Sequence, residues 1–409
     1  MKKHLKRVSL LILTFSSLIT IAQNVKHYEG NVEIDVKKHM LKANFIITFN
    51  SLPEGDTMKF FLHRSSTNLQ LESGNKIINA TITNEEFVEK DHAINFKKSS
   101  VKNLKLNVKY TLNLDSLSNN GFRFNKNWIE LNLYTAWYPI NTTYGRFPYT
   151  VKTTIDKGYR LFGSGVVTNR RKTWKINQTI PSIDISTIFH KGLKEETIGK
   201  IKFYHYNINE EAVVTIKNNT EKHYNYINNW LGATGSTKLF LAVSNLKHTT
   251  SYARKNFISL SVAKKYSEPY DKILAHELGH LWWNKASVTN WEEWLNESFA
   301  EYTAIIAQRN LFGEENFNKN IKRLKKRTEK LASPYQLEKG VKNYQNSVTH
   351  KGAYYLYELE SKIGRTTFAN FLRDTHQANI KFTTDLLTLL EKNIGTDAVQ
   401  FLFQKLKGN

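Results

Sequence analysis

The chain contains no cysteine. That absence excludes a disulfide frame, a thiolate metal site and a lipid anchor on an N-terminal cysteine, so stability has to come from packed cores and bound ions. After the apolar run Val8–Ile21 there is no second segment apolar enough to cross a bilayer as a helix. No internal repeat is visible, and no helix-turn-helix, zinc-finger or aromatic-rich RNA-binding pattern. Acids are scarce: 36 Asp and Glu stand against 59 Lys and Arg, a formal net charge of +23. The bases are spread along the chain. They read as solvated charge that would associate with anionic envelope surfaces or acidic substrates, with no specific nucleic-acid partner.

What is present is ample for a folded protein. With 409 residues, 40% hydrophobic and 12% aromatic, the chain can bury more than one core. Lys2, Lys3, Lys6 and Arg7 precede Val8–Ile21, which ends at Thr20-Ile21-Ala22 before Gln23. This is the pattern of a secretory signal peptide over 1–22, cleaved after Ala22 and delivering a secreted or periplasmic product. As an uncleaved anchor the run is short for a full span and interrupted by Thr and Ser.

From Asn31 to about Tyr206 apolar residues alternate with polar ones. Val32, Ile34 and Val36 do so, then Ala43, Phe45, Ile47 and Phe49, then Leu104, Leu106, Val108, Tyr110, Leu112 and Leu114. Half-buried antiparallel strands are expected, separated by turns such as Pro53-Glu54-Gly55-Asp56 and Ser118-Asn119-Asn120-Gly121. Near Asn207 the period changes. Glu210–Leu231 predicts a helix closed by Gly232, Lys238–Val243 and Phe257–Leu260 predict strands, and a helix starts near Pro269. Beyond Glu301 the pattern is helical over Phe317–Leu331 and Lys351–Ile363, and Thr383-Thr384-Asp385 caps Leu386–Asn393. The expected fold is α+β and multidomain, an N-terminal antiparallel β-rich domain over 23–206 followed by a mixed α/β unit over 207–409 that ends in helices.

The chemistry is concentrated in His276-Glu277-Leu278-Gly279-His280. Residues four apart on a helix lie one above the other, so both imidazoles can address one Zn²⁺ while Glu277, beside them, takes a proton from water. A catalytic zinc needs a third protein ligand and an open position. Trp294-Leu295-Asn296-Glu297-Ser298-Phe299-Ala300-Glu301 begins a second helix whose Glu297 completes the set, one zinc per chain. Glu301, one turn on, is placed either to orient a ligand imidazole or as a solvated helix charge.

His276–Trp283 and Trp294–Tyr302 resemble the gluzincin metallopeptidases of the alanyl aminopeptidase and leukotriene hydrolase type, in which a tryptophan-rich connector joins a His-Glu-x-x-His helix to a Trp-Leu-Asn-Glu helix. Here Leu281-Trp282-Trp283-Asn284 and Trp291–Glu297 look the same. Weaker likenesses at Ala136–Pro139, Phe147–Tyr149 and Leu161–Gly165 extend it upstream. The resemblance implies a thermolysin-like catalytic domain, zinc, and hydrolysis of a peptide or protein substrate. The connector between His280 and Glu297 is two residues shorter than is usual in the family, a loop change that spares the ligands.

Other departures touch the substrate. The family's Gly-x-Met-Glu-Asn strand, whose Glu holds a free amino group, corresponds to Thr250–Asn256, which has no acid and offers Arg254 and Lys255. Exopeptidase and endopeptidase action both stay open. Thr349 stands where the family has an oxyanion-binding Tyr, before Lys351-Gly352. His350 is the candidate replacement and Tyr344 the alternative; His350 also reads as a surface histidine, and Tyr354, Tyr355 and Tyr357 read as packing residues. Two rivals accompany the secreted zinc metallopeptidase: a catalytically weak zinc-containing binding protein of the cell envelope, and a basic protein that holds polyanions by charge alone.

Overall fold

The computed structural model describes residues 25–408 apart from 88–89, 118–122, 142–144, 235–237, 246–249 and 263–264. The leader expected at 1–22 and the turn at Ser118–Gly121 lie outside the described residues. Alternation becomes strands as anticipated. Val25–Asp35, Met40–Phe49 and Lys105–Asn113 lie side by side in an eight-stranded sheet, with Ile34, Phe45, Ile47, Leu106 and Leu112 turned into one core. Leu104, expected as the first residue of its strand, instead occupies the preceding turn with φ 52° and is exposed.

The sheet departs from a purely antiparallel plan at one place. Val25–Asp35 pairs in parallel with Phe147–Ile155, and the latter pairs antiparallel with Thr173–Ser182. Strand alternation specifies which face is buried and is indifferent to direction, so the sequence carries no trace of this crossover. Two four-stranded sheets complete the β-rich half.

A five-stranded mixed sheet opens the second half, in the order Lys194–Ile198, Ile201–Tyr206, Leu239–Ser244, Phe257–Ser261, Tyr252–Arg254. Its first two strands precede the change of period at residue 207, yet Ile201–Tyr206 pairs in parallel with Leu239–Ser244. Helices α1 (Glu210–Leu231), α2 (Glu268–Gly279) and α3 (Trp294–Thr328) follow, then helices Gly352–Ile363, Arg365–Gln377, Thr383–Asn393 and Thr396–Lys407. The helical backbone of α3 is interrupted at Gly313 (φ 84°, ψ −179°), so it is two helices end to end, and the second contains most of the stretch expected as a helix from Phe317. Thr383 lies inside its helix; its N–H and Oγ1 both donate to Glu292, at 2.8 and 2.6 Å, a tertiary tie in place of the cap expected there. No helix among the described residues is long and apolar enough to cross a membrane.

The two halves meet through buried residues of both. Trp128 and Ile188 from the β-rich half pack with Tyr204, Ala242, Tyr252 and Phe257 of the mixed sheet. Glu130, fully buried, accepts from Trp128 Nε1 (3.0 Å), Tyr252 Oη (2.8 Å) and Ser259 Oγ (2.7 Å). A carboxylate removed from water needs this many donors. The edge strand Tyr252–Arg254 is thereby fastened to the β-rich half from below.

Candidate active site

Helix α2 is held at its start by Asp271, whose carboxylate accepts from His223 Nε2 (2.9 Å), Asn219 Nδ2 (2.7 Å), Tyr266 Oη (3.0 Å) and Gln308 Nε2 (3.2 Å). A negative charge in the first turn also suits the helix dipole. At the other end Gly279 allows close approach to α3: a Cβ there would lie 3.1 Å from both the Cα and the carbonyl oxygen of Ala300. The two helices therefore approach backbone to backbone between the two histidines, and Glu297 comes opposite them.

The resulting donor set is compact. His276 Nε2 and His280 Nε2 are 3.2 Å apart, and Glu297 approaches them at 3.7 and 3.6 Å. Among the described residues these three form the one group of His and acid side chains suited to a metal, with one ligand atom from each lying within 4.8 Å of the others. Tetrahedral zinc with bonds of about 2.0–2.2 Å separates its ligand atoms by roughly 3.4 Å, so the donors already outline three corners of such a site. The outer nitrogens are fixed too. His276 Nδ1 donates to Glu301 Oε2 at 3.1 Å, and His280 Nδ1 donates to the carbonyl of Trp283 at 3.2 Å, which leaves each Nε2 lone pair for an ion.

Glu301 is buried, so the solvated-charge reading fails: it also accepts from Lys272 Nζ and from His350 Nδ1 (3.1 Å). Burial works to raise its carboxyl, but Lys272 and the two imidazoles hold it well below the usual range. Burial likewise opposes charge on Glu297, and His280 and His276 bring its carboxyl down. Glu277 differs. Burial pushes its carboxyl up to about 7, with the N–H of Ala253 as a hydrogen-bond donor. A carboxyl near neutrality beside two metal-binding imidazoles is suited to accepting and returning a proton.

The tryptophan-rich connector is built as a brace. Trp282 Nε1 donates to the carbonyl of Gly232 (2.7 Å), Trp283 Nε1 to Thr303 Oγ1 (2.8 Å) and Trp294 Nε1 to Thr383 Oγ1 (2.8 Å). Asn296 accepts from the N–H of Ala286 and donates to its carbonyl, both at 3.1 Å, which clamps the shortened loop.

Thr349 and His350 lie on a π-helical turn, Ser347–Lys351, whose extra residue turns both toward α3. Thr349 Oγ1 donates to Glu297 Oε2 at 3.3 Å and His350 faces Glu301. Tyr344, the alternative, is buried and donates to the carbonyl of Asn290 at 2.8 Å. Gly352 closes this turn onto α3, where a Cβ would sit 2.1 Å from Ser298 Oγ.

The site opens into a cleft of about 1660 Å³. Three of its determinants come from the β-rich half and were not singled out on sequence: Tyr134, Arg146 and Asp184. Asp184, fully buried, takes Arg254 Nε at 2.9 Å, and the Arg254 guanidinium hydrogen-bonds the Tyr134 oxygen. Arg146 donates to the carbonyls of Asn284 (2.6 Å) and Ala286 (3.4 Å) in the connector. These pairs span large stretches of chain and have no local pattern by which to find them.

Residues 206–405 match the family model described as Peptidase family M1 domain. The chain carries an M1 peptidase domain. It belongs with the gluzincins of the aminopeptidase and leukotriene hydrolase type and is a zinc metallopeptidase by family. Comparison with the curated proteins gives no sequence match. Among solved structures, an M1 zinc metallopeptidase from Deinococcus radiodurans, a mutant with a Tyr-Ser-Ala substrate bound, aligns with TM-score 0.69 and 17% identity over 94% of each chain. Native yeast LTA4 hydrolase aligns with TM-score 0.72 and 15% identity over 93% of this chain and 66% of that one. At these identities the likeness shows a shared fold. It extends through the β-rich half as well as the M1 domain.

Proposed function

We propose that this chain is a secreted or periplasmic peptidase that binds one zinc ion through His276, His280 and Glu297 and hydrolyses peptide bonds with Glu277 as general base. The observation that carries the reading is the coincidence of a three-donor set of tetrahedral dimensions with a buried carboxyl held near neutrality on the helix of the two imidazoles. Zinc would supply Lewis acidity toward the scissile carbonyl and the attacking water. Glu277 accepts the proton of that water at its carboxylate and delivers it to the leaving amine. Trp283 and Glu301 keep both imidazoles in the ligating tautomer. The leader pattern of residues 1–22 supports export.

The developing oxyanion needs a donor. A neutral His350 that donates Nδ1–H to Glu301 presents a lone pair at Nε2, so it can donate to an oxyanion only as imidazolium. Tyr134 is the better candidate. Burial raises its phenol above the usual range, it accepts from Arg254, and its hydroxyl proton is left for an oxygen in the cleft it lines.

The binding-protein reading is opposed by Glu277, since a structural zinc site needs no base beside it. Attachment to anionic envelope surfaces through the basic exterior is compatible with either and would be salt-sensitive and independent of zinc. The deciding experiment measures zinc content and turnover of N-terminally free and N-terminally blocked fluorogenic peptides, with Glu277→Gln as control. Stoichiometric zinc and turnover abolished by Glu277→Gln support the peptidase. Stoichiometric zinc without Glu277-dependent turnover would put the binding protein in its place.

A further inference from the structure

The cleft wall around the tip of the Tyr252–Arg254 hairpin holds more positive charge than the surrounding acids neutralise. Arg254 and Phe257 pair across the turn, so Lys255 and Asn256 form a two-residue loop, and Lys255 takes φ 54°. A lysine in the left-handed region costs about 1 kcal/mol or more, and the surroundings must hold it there.

Around the Lys255 ammonium the interacting charges are Arg146 and Lys285, both cations; burial and these two together bring it down to about 8. Arg146 is itself lowered by burial and by Arg254, and Lys285 by burial, Arg146 and Lys381. Asp184 is engaged by Arg254 at 2.9 Å. Arg146 is held by the carbonyls of Asn284 and Ala286, which satisfy its N–H groups without cancelling its charge, and among the described residues it has no carboxylate partner. Each cation therefore disfavours its neighbour in a partly dehydrated place, an arrangement that a bound anion would relieve.

Its position ties this charge to the chemistry. Arg146, Arg254 and Lys255 line the same cleft as His276, Glu277 and Glu297, and the Ala253 N–H, next to Arg254 in the strand, hydrogen-bonds Glu277. Tyr252–Arg254 is also the edge of its sheet, with one side unpaired among the described strands, which suits an extended peptide laid alongside it.

We infer that Arg146 and Lys255 form a carboxylate subsite in the cleft beside the scissile position, which selects peptides with an acidic residue there and disfavours a cationic group. The inference rests on the peptidase reading for its substrate class, so the test reads binding apart from turnover. Zinc-loaded full-length Glu277→Gln protein is titrated, by fluorescence anisotropy at physiological salt, with a labelled peptide in which one Gln is replaced in turn by Glu or Lys at each position. At one position Glu should bind roughly tenfold tighter than Gln, and Lys weaker. Lys255→Glu should reverse that order, while Lys175→Glu, on the exposed face of the β-rich half, leaves it intact. Equal gains at every position, an order untouched by Lys255→Glu, or tighter binding of Lys would overturn the subsite. Position-specific Glu preference without hydrolysis by the unmutated protein would uphold the subsite and sink the peptidase; hydrolysis indifferent to acid would do the reverse.

Discussion

Glu301 Oε2 lies 3.1 Å from His276 Nδ1, and the other oxygen of the same carboxylate receives Lys272 and His350. One buried acid thus fixes the ring plane of a ligand and is itself kept ionised by the Lys272 ammonium and by the hydrogen bonds of the two imidazoles. In Glu301→Gln, zinc affinity should fall about 10- to 100-fold. Competition with a fluorescent chelator reads this directly, and an unchanged dissociation constant would remove Glu301 from the account of how His276 is oriented.

Gly279 carries the contact between the zinc helices. In Gly279→Ala the new methyl meets the Ala300 backbone at 3.1 Å. The expected loss is about 1–3 kcal/mol of stability, together with weaker zinc binding as the histidines move away from Glu297. Urea melts with and without zinc separate the two effects. Stability lost at unaltered zinc affinity would mean that the ligands tolerate a wider helix spacing.

The oxyanion donor is decided by comparing Tyr134→Phe with His350→Asn. Removal of one such donor costs roughly 10²- to 10³-fold in kcat. That loss is expected for Tyr134→Phe with KM little changed, and His350→Asn should act chiefly on zinc affinity through Glu301. The opposite pattern would return the role to His350.

Lys255 sets a pH dependence. Burial, Arg146 and Lys285 place its folded-state value at about 8, against 10.5 for the unfolded chain. Between those limits the unfolded chain holds the extra proton, so the contribution of this residue to stability rises with pH across the window, and below it the folded protein bears the full repulsion. Affinity for an acidic peptide runs the other way, constant below about 8 and declining above as the ammonium is lost. Titrations from pH 6 to pH 10 on Lys255→Met should flatten both trends; a decline that persists in the variant would have another source.

The metal set was legible because its spacing is local: four residues on one helix, and a Trp-Leu-Asn-Glu start to the next. Strand alternation was legible for the same reason, and Lys105–Asn113 falls almost where Leu104–Leu114 placed it. What escaped is long-range. The parallel pairing of Val25–Asp35 with Phe147–Ile155, the transfer of Ile201–Tyr206 to the second sheet, and the joining of Arg254 to Asp184 depend on partners far away in sequence, and a buried ion pair leaves no periodicity. Gly313 was not singled out, although its φ of 84° separates the helix that carries Glu297 from the one expected at Phe317–Leu331.

Arg146 reaches from the β-rich half to the carbonyls of the loop that joins the zinc helices. A chimera that exchanged this half for that of a relative would keep its ion and its base, yet lose the Arg146 guanidinium and the Tyr134 phenol from the cleft wall, and with Asp184 the buried anchor of Arg254. Selectivity and reactivity on this architecture both draw on the two halves at once, so neither is inherited with the metal-binding half alone.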